Sequence, residues 1–85
     1  DLAVALAIIS CIKQRPLPAD SCAFGEVGLS GDVRAVSYEN QRLKEAQKLG
    51  FSHAIVPKSS DSREKTLTAV SFSRIQDYVR WVESL

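Results

Sequence analysis

The side chains of this sequence that could do chemistry are mostly basic, and they fall into two groups along the chain. They are Arg34, Arg42, Lys44, Lys48, Lys13 and Arg15. Guanidinium and ammonium groups neutralise nucleic-acid phosphates without reading base sequence, so the six are candidates for DNA binding. The alternative is a solvated helix face, on which Glu39 and Glu45 cancel part of the charge. No aromatic residues alternate with the basic ones, so stacking of single-stranded bases is not expected.

Other kinds of site find little support in the residue types. The single histidine, His53, lies in a short apolar segment without a cysteine or an acidic cluster, which favours a structural role. No Gly-x-x-x-x-Gly-Lys-Ser/Thr loop is present to bind nucleotide phosphates. Cys11 and Cys22 lack metal-ligand spacing and are expected to be buried, reduced thiols, with a disulfide as the alternative. We expect no metal and no cofactor in this chain.

Composition indicates one soluble domain. The chain has 85 residues, of which 45% are hydrophobic and 25% charged, and its formal net charge is +1. These values argue against disorder, and the total charge alone predicts neither nucleic-acid nor membrane binding. The apolar start, residues 1–12, is shorter than a membrane span and opens with an acid, which favours a buried helix. The chain contains no Met, and we expect it to be part of a longer cytoplasmic protein.

Local patterns predict elements in the order α-β-β-α-β-β-α. Their ranges are a helix at 1–14, strands at 22–29 and 33–36, a helix at 39–49, strands at 53–56 and 66–72, and a last helix that a capping box opens at Ser73. Gly25 and Gly28 predict close backbone approach or a bulge, and Gly50 predicts a left-handed helix end. Residues 58–65 are polar and predict an exposed loop. The first helix is apolar almost all round, so we expect it to lie between two layers. The predicted fold class is α+β, a mixed sheet with packed helices.

The segment from Phe24 to Pro57 resembles a known family. It contains GEVGLSG at residues 25–31, the basic helix QRLKEAQKLGF at 41–51 and the apolar AIVP at 54–57. This order resembles the proteolytic domain of Lon-type proteases, which has the ribosomal protein S5 domain 2-like fold. More closely, it is similar to the Lon-like C-terminal domain of the bacterial DNA repair proteins of the RadA (Sms) family. The opening DLAVALAI strengthens that resemblance, which covers residues 1–57 and extends to 58–85 only in pattern.

The resemblance makes Arg42 the residue that decides about catalysis. Lon-type proteases use a serine–lysine dyad, in which a neutral amine accepts the serine proton. Alignment on the Gly-Glu-x-x-Leu-x-Gly pattern at residues 25–31 puts the serine position just before Asp1 and the lysine position on Arg42. An arginine stays protonated at physiological pH and cannot be this base. Lys44 is two residues further, about 200° around a helix, and faces elsewhere.

The resemblance also implies properties of a longer protein. Members of the family have an N-terminal four-cysteine zinc motif and a RecA-like ATPase core, and they drive branch migration on DNA during recombination. Their Lon-like domain contributes to hexamer assembly and to DNA contact. We therefore expect residues 1–85 to be a single partial domain, the C-terminal part of a Lon-like domain. The implied ATP, magnesium and zinc belong to the parent protein, and its implied partners are DNA, further subunits of a hexamer and a recombinase, but no membrane.

Three hypotheses about function follow. The first is a non-catalytic Lon-like domain of a RadA-type repair ATPase, which assembles a hexamer and contacts DNA. The alternative is a Lon-type ATP-dependent Ser-Lys peptidase that uses another lysine. The third is an oligomerisation scaffold without DNA contact.

Overall fold

The computed structural model describes residues 1–58 and 67–85 of the chain. The helices are α1 (Leu2–Lys13), α2 (Glu39–Lys48) and α3 (Ile75–Glu83). The strands are β1 (Ser21–Ala23), β2 (Glu26–Val27), β3 (Val33–Arg34), β4 (His53–Pro57) and β5 (Thr68–Phe72). The order is that of the prediction, with one additional strand because the predicted strand 22–29 is divided into β1 and β2. Except for Lys58, the predicted loop 58–65 lies outside the described residues, as does the first residue of the predicted strand 66–72.

The described strands form two separate sheets. Strands β1, β4 and β5 make a parallel sheet with β4 in the centre, whereas β2 and β3 make an antiparallel hairpin. The predicted α+β class and the hairpin are confirmed. The prediction of one mixed sheet is wrong, because the antiparallel pair leaves the parallel sheet instead of extending it.

The division between β1 and β2 occurs at Gly25, where the backbone approaches α1. The amide of Leu2 donates to the Gly25 carbonyl at 2.8 Å. A β-carbon on Gly25 would lie 3.0 Å from Leu2 Cδ2 and 3.3 Å from Pro57 Cγ. Any side chain here would press on both the helix and the central strand, so the predicted close approach is confirmed.

Helices cover both faces of the parallel sheet. Ile55 of β4 packs with Leu2 and Leu6 of α1 and with Tyr78 of α3. Ala54 and Val56, on either side of Ile55 in the strand, face the other way. There they form a second cluster with Leu43 of α2 and with Leu67. The side-chain alternation of a strand therefore gives β4 one hydrophobic cluster on each face.

One face of α1 is not covered, so the prediction that this helix lies between two layers is wrong for the described chain. Leu2 and Leu6 are fully buried, but Val4, Ile8 and Ile12 are 56%, 55% and 72% exposed. These three residues recur every four positions and therefore form one stripe along the helix. Cys11, which was expected to be buried, is exposed as well.

The amino end of α3 is stabilised by the hairpin rather than by its own sequence. The predicted capping box at Ser73 is wrong, since the N-cap residue is Arg74 and makes no side-chain cap. Instead the Ile75 amide donates to the Gly31 carbonyl at 2.8 Å, and the Val33 amide donates to the Ser73 carbonyl at 2.9 Å. These bonds come from residues that are distant in sequence, which a local pattern does not reveal.

The start of α1 is closed by a side-chain cap, and the end of α2 is the one that was predicted. The Asp1 carboxylate caps α1 by accepting a hydrogen bond from the Val4 amide at 2.8 Å. Gly50 follows α2 with a φ of 91°, a conformation that side chains other than glycine rarely adopt.

Tyr78 attaches α3 to the ends of β4 and β5. Its hydroxyl donates to the Val56 carbonyl and accepts from the Phe72 amide at 3.1 Å. Its ring meets that of Phe72 edge-on, with 5.1 Å between centroids. Burial, with a smaller contribution from the charge of Glu39 in α2, raises the pKa of Tyr78.

Replacing Tyr78 with Phe should lower the free energy of unfolding by about 1–3 kcal/mol, because the Val56 carbonyl and the Phe72 amide lose a partner while the ring stays. Urea denaturation followed by circular dichroism measures this. Tyr38→Phe is the matched control, since the Tyr38 side chain is 73% exposed, and its effect should stay below about 0.5 kcal/mol. Equal losses from the two substitutions would contradict the role given to Tyr78.

The raised pKa of Tyr78 predicts a specific loss of stability in alkali. A free tyrosine titrates near pH 10.0, and the folded chain holds the proton to higher pH. The protonated Tyr78 hydroxyl therefore makes its full contribution to the free energy of unfolding below pH 10.0. This contribution is lost as the pH rises through the folded-state pKa. The free energy of unfolding should fall more steeply above about pH 10 in the unsubstituted chain than in Tyr78→Phe. Identical slopes would show that Tyr78 is not the linked group.

Candidate functional site at the carboxyl edge of the sheet

The described helices and parallel strands bring their functional ends together at one edge of the sheet. Strands β1, β4 and β5 run in the same direction, so their carboxyl ends share an edge, which we call the carboxyl edge. Helix α1 begins there, beside Gly25, and α3 begins directly after β5. Helix α2 ends shortly before the amino end of β4, so it runs back along the sheet and its own first turn is at the carboxyl edge. In open parallel sheets, ligands bind outside the carboxyl ends of the strands.

A cavity of about 90 Å³ lies at this edge between α1 and α2. Its lining includes Asp1, Ala3, Ala23, Gly25, Val36 and Arg42. Asp1, the first residue after the position that the resemblance gives to the serine, and Arg42 thus line the same space. The sequence separates them by about forty positions, and the packing of α1 and α2 around the end of β1 brings them together.

The chemistry available in this cavity is binding rather than proton transfer. Arg42 offers donors only and stays charged, and it makes no ion pair with another described residue. The Asp1 carboxylate is already engaged as the cap of α1. Neither Lys44 nor Lys48 lines the cavity, and His53 begins β4 at the opposite edge of the sheet. There His53 Nδ1 is 2.9 Å from Oγ of Ser52, its neighbour in the chain.

Arg34 lies in the hairpin that leaves the carboxyl edge. Its Nε is 3.2 Å from Asp32 Oδ2, and both side chains are substantially exposed. The hydroxyl of Ser30, 2.8 Å from the other carboxylate oxygen, lowers the pKa of Asp32, with Arg34 and Arg74 as smaller causes. A pair this exposed is labile and leaves the guanidinium of Arg34 accessible to a phosphate.

Lys13 and Arg15 are at the opposite end of the molecule. Lys13 Nζ is 3.7 Å from Glu83 Oε2, and Arg15 Nη1 donates to the Leu85 carbonyl at 3.3 Å. Both side chains therefore connect the end of α1 to the end of α3. Lys48, in the last turn of α2, also lies toward this amino edge, and Lys44 is an exposed residue in the middle of that helix. The six predicted basic residues are thus distributed over the molecule, and only Arg34 and Arg42 belong to the carboxyl edge.

Sequence reasoning missed three residues of the carboxyl edge. Lys58 follows β4 directly and is exposed. Arg74 precedes α3, and its Nη2 donates to the Ser30 carbonyl at 2.6 Å, which braces the hairpin. Tyr38 precedes α2 and is 73% exposed. Lys58 and Arg74 could have been found from their positions just after predicted strands. Residues that follow the strands of a parallel sheet lie together at one edge.

A second cavity, of about 240 Å³, opens between α2 and β1. It is lined by the apolar or weakly polar Cys22, Phe24, Ala46, Leu49 and Phe51 and by the charged Arg42 and Glu45. Burial raises the pKa of the Cys22 thiol, so this cysteine is protonated near neutral pH. The cavity is therefore mainly apolar, with two charged residues in its lining.

Residues 1–58 and 67–85 offer neither a membrane span nor a metal cluster. None of their helices is both long enough and apolar enough to cross a membrane. Within the same residues, His, Cys, Asp and Glu side chains form no group of three that could hold a metal ion.

Comparison with known proteins gives one family and a consistent set of relatives. The model of the family described as "Subunit ChlI of Mg-chelatase" matches residues 1–60. Proteins named DNA repair protein RadA from Aquifex aeolicus, Pseudomonas aeruginosa and Streptococcus pneumoniae are 44%, 46% and 40% identical over 93%, 89% and 96% of this chain. The chain spans only 18%, 17% and 20% of the lengths of these relatives.

The two names refer to proteins with different activities, a chelatase subunit and a DNA repair protein. Each activity is that of the protein so named. What they share is this domain. Because the family model matches residues 1–60, well over half of the 85 residues, the chain belongs to the family described as subunit ChlI of Mg-chelatase, and relatives that match nearly its whole length are RadA proteins.

Proposed function

We propose that this chain is a non-catalytic, Lon-like domain of a RadA-type DNA repair protein. In this role it supports assembly of a hexamer and contacts the DNA backbone through the carboxyl edge during branch migration. The high identity to proteins named DNA repair protein RadA over most of the chain supports this placement. The parent protein's ATPase, zinc motif, magnesium, recombinase partner and cytoplasmic location are parts of the same proposal.

The observation that supports a non-catalytic role most directly is the identity of Arg42 in the cavity beside Asp1. A Lon-type dyad needs an amine that becomes neutral, and a guanidinium remains charged at any pH at which the protein folds. The nearby lysines of α2 do not line the cavity and would have to leave their helix face to replace it. The Asp1 carboxylate, occupied with the helix cap, is no substitute base. The cavity therefore suits a domain that binds and orients.

The DNA contact is supported by the charges of the carboxyl edge. Arg34, Arg42 and Lys58 all project from elements that begin or end at this edge, and all three are exposed. Arg34 is held by one exposed carboxylate, and Arg42 by none among the described residues. Such side chains can exchange weak surface pairs for phosphate oxygens, which positions a domain on nucleic acid without reading sequence.

The assembly role is supported by the apolar stripe of Val4, Ile8 and Ile12 on α1. Three large aliphatic side chains in a row, each more than half exposed, indicate a surface that another part of the protein or another subunit covers. The stripe lies on the face of α1 away from the core residues Leu2 and Leu6. It is therefore available to a neighbour without disturbing the fold.

The cofactors belong to other parts of the parent protein in this proposal. Within the described residues no grouping of three His, Cys, Asp or Glu could hold zinc or magnesium, so these residues do not fit a metal site. No step of the proposed function passes through a metal or a nucleotide in this domain.

Reversing charge at the carboxyl edge should weaken DNA binding by the full-length protein. The double variant Arg34→Glu, Arg42→Glu should bind about tenfold or more weakly at moderate salt, and its log–log salt slope should fall by about 1 for each phosphate that the protein no longer neutralises. Fluorescence anisotropy of a labelled oligonucleotide over a range of salt concentrations measures both quantities.

The matched control reverses two charges at the opposite edge, Lys13→Glu and Lys48→Glu. This variant makes the same change in net charge and should retain both affinity and salt slope, since the ion pair that it breaks is exposed and weak. Equal losses of affinity in the two double variants would show that total charge, not the carboxyl edge, determines binding. Unchanged affinity in both variants would favour a scaffold without DNA contact.

The peptidase alternative makes a different prediction. Because Arg42 cannot accept a proton, the full-length protein with ATP should not degrade casein, and Arg42→Ala should leave that result unchanged. Release of acid-soluble peptides is the measurement. Cleavage that disappears in Lys44→Ala or Lys48→Ala would revive a Ser-Lys enzyme with a displaced lysine.

A further inference from the structure

The carboxylate of Asp32, in the turn between β2 and β3, meets one of the two arginines of the carboxyl edge. Asp32 Oδ2 is 3.2 Å from Arg34 Nε, and the Ser30 hydroxyl donates to Asp32 Oδ1 at 2.8 Å. Each oxygen of the carboxylate therefore has one partner. The partner of Oδ2 is a guanidinium on which the proposed DNA contact depends.

The hairpin has a place for this carboxylate because position 28 is a glycine. A β-carbon on Gly28 would lie only 2.8 Å from Asp32 Cγ, so any larger residue would displace the carboxylate. The backbone of Asp32 is held separately, since the Gly28 amide donates to the Asp32 carbonyl at 2.8 Å. The turn therefore keeps the carboxylate beside Arg34, whose own side chain is long and flexible.

Arg34 and Arg42 differ in their access to a phosphate. Arg42 makes no ion pair with another described residue, whereas Arg34 is paired with Asp32. The side chains of Arg34 and Asp32 are 65% and 38% exposed, so their pair is weak and a phosphate oxygen can replace the carboxylate. When Arg34 leaves, the carboxylate keeps the Ser30 hydroxyl and the nearby charge of Arg74, two of the causes that lower its pKa. The exchange therefore strands no charge.

We propose that Asp32 competes with DNA phosphates for the guanidinium of Arg34. The inference rests on the DNA contact proposed above and adds the regulation of that contact. Without DNA, Arg34 is on the carboxylate. With DNA, a phosphate oxygen takes the place of the carboxylate, whose negative charge then lies close to the nucleic-acid backbone. Asp32 therefore lowers the affinity that Arg34 contributes, whereas Arg42 contributes its share without this competition.

The test measures binding of a labelled oligonucleotide to the full-length protein by fluorescence anisotropy at moderate salt. Asp32→Asn keeps the size of the side chain and an oxygen for the Ser30 hydroxyl, and it should bind about threefold more tightly, the effect of one exposed ion pair. Gly28→Ala displaces the carboxylate without changing net charge, and it should also bind more tightly. Glu83→Gln is the matched control, because it removes an acid that pairs weakly with Lys13, at 3.7 Å, at the opposite end of the molecule. Its affinity should not change.

A double-mutant cycle separates competition from net charge. In an Arg34→Gln background, Asp32→Asn should gain almost nothing, because the guanidinium for which the carboxylate competes is absent. In an Arg42→Gln background, the gain of about threefold should remain. Equal gains in the two backgrounds would be an effect of net charge and would overturn the proposal. An unchanged thermal unfolding midpoint of Asp32→Asn shows that the hairpin is intact.

Arg34→Gln alone distinguishes failure of this inference from failure of the DNA contact. If it weakens binding while Asp32→Asn has no effect, the competition is overturned and the contact stands. If Asp32→Asn also weakens binding, the carboxylate orients Arg34 toward the phosphate, which is the opposite of the proposal. If Arg34→Gln has no effect, the contact through Arg34 fails and the competition with it.

Discussion

Strand β4 lies between two parallel neighbours, β1 and β5, and its Ala54, Ile55 and Val56 are buried. A strand buried on both faces needs helices on both faces, and parallel neighbours need helical connections that return the chain to the same starting edge. These two requirements account for the packing of α1 and α3 on one side and α2 on the other. They also place the amino ends of these three helices together at the carboxyl edge. The position of the candidate site is thus a consequence of how β4 is covered.

The same arrangement determines which basic residues can act together. A helix of ten to twelve residues extends over about 15–18 Å, so a charge in its last turn is that far from one in its first turn. Lys13 and Lys48 end α1 and α2, whereas Arg42 is near the beginning of α2. Basic residues that are close in sequence are therefore not all close in the folded chain. The carboxyl edge instead includes Lys58, which follows β4, and Arg74, which lies between β5 and α3.

The features that the sequence predicted well are those decided by near neighbours. The stop of α2 at Gly50 and the hairpin around Gly31 depend on residues within a few positions. The features that it predicted wrongly depend on distant contacts: Gly25 meets Leu2 and divides a strand, and Gly31 accepts from the Ile75 amide and replaces the expected cap at Ser73. For the site, the resemblance identified Arg42, but Tyr38 was missed because its exposure and its positive φ are properties of the folded backbone.

Arg42, in the first turn of α2, decides which chemistry the cavity beside Asp1 can perform. A lysine at position 42 would have a pKa that its surroundings can lower, and it could serve in proton transfer. An arginine gives up that possibility and offers a planar cation with several donors, which suits phosphate oxygens. The Tyr38 carbonyl accepts from the Arg42 amide at 3.1 Å, which holds the backbone of Arg42 in the first helical turn. The side chain that cannot act as a base in the cavity therefore also supplies a permanent cation to its lining.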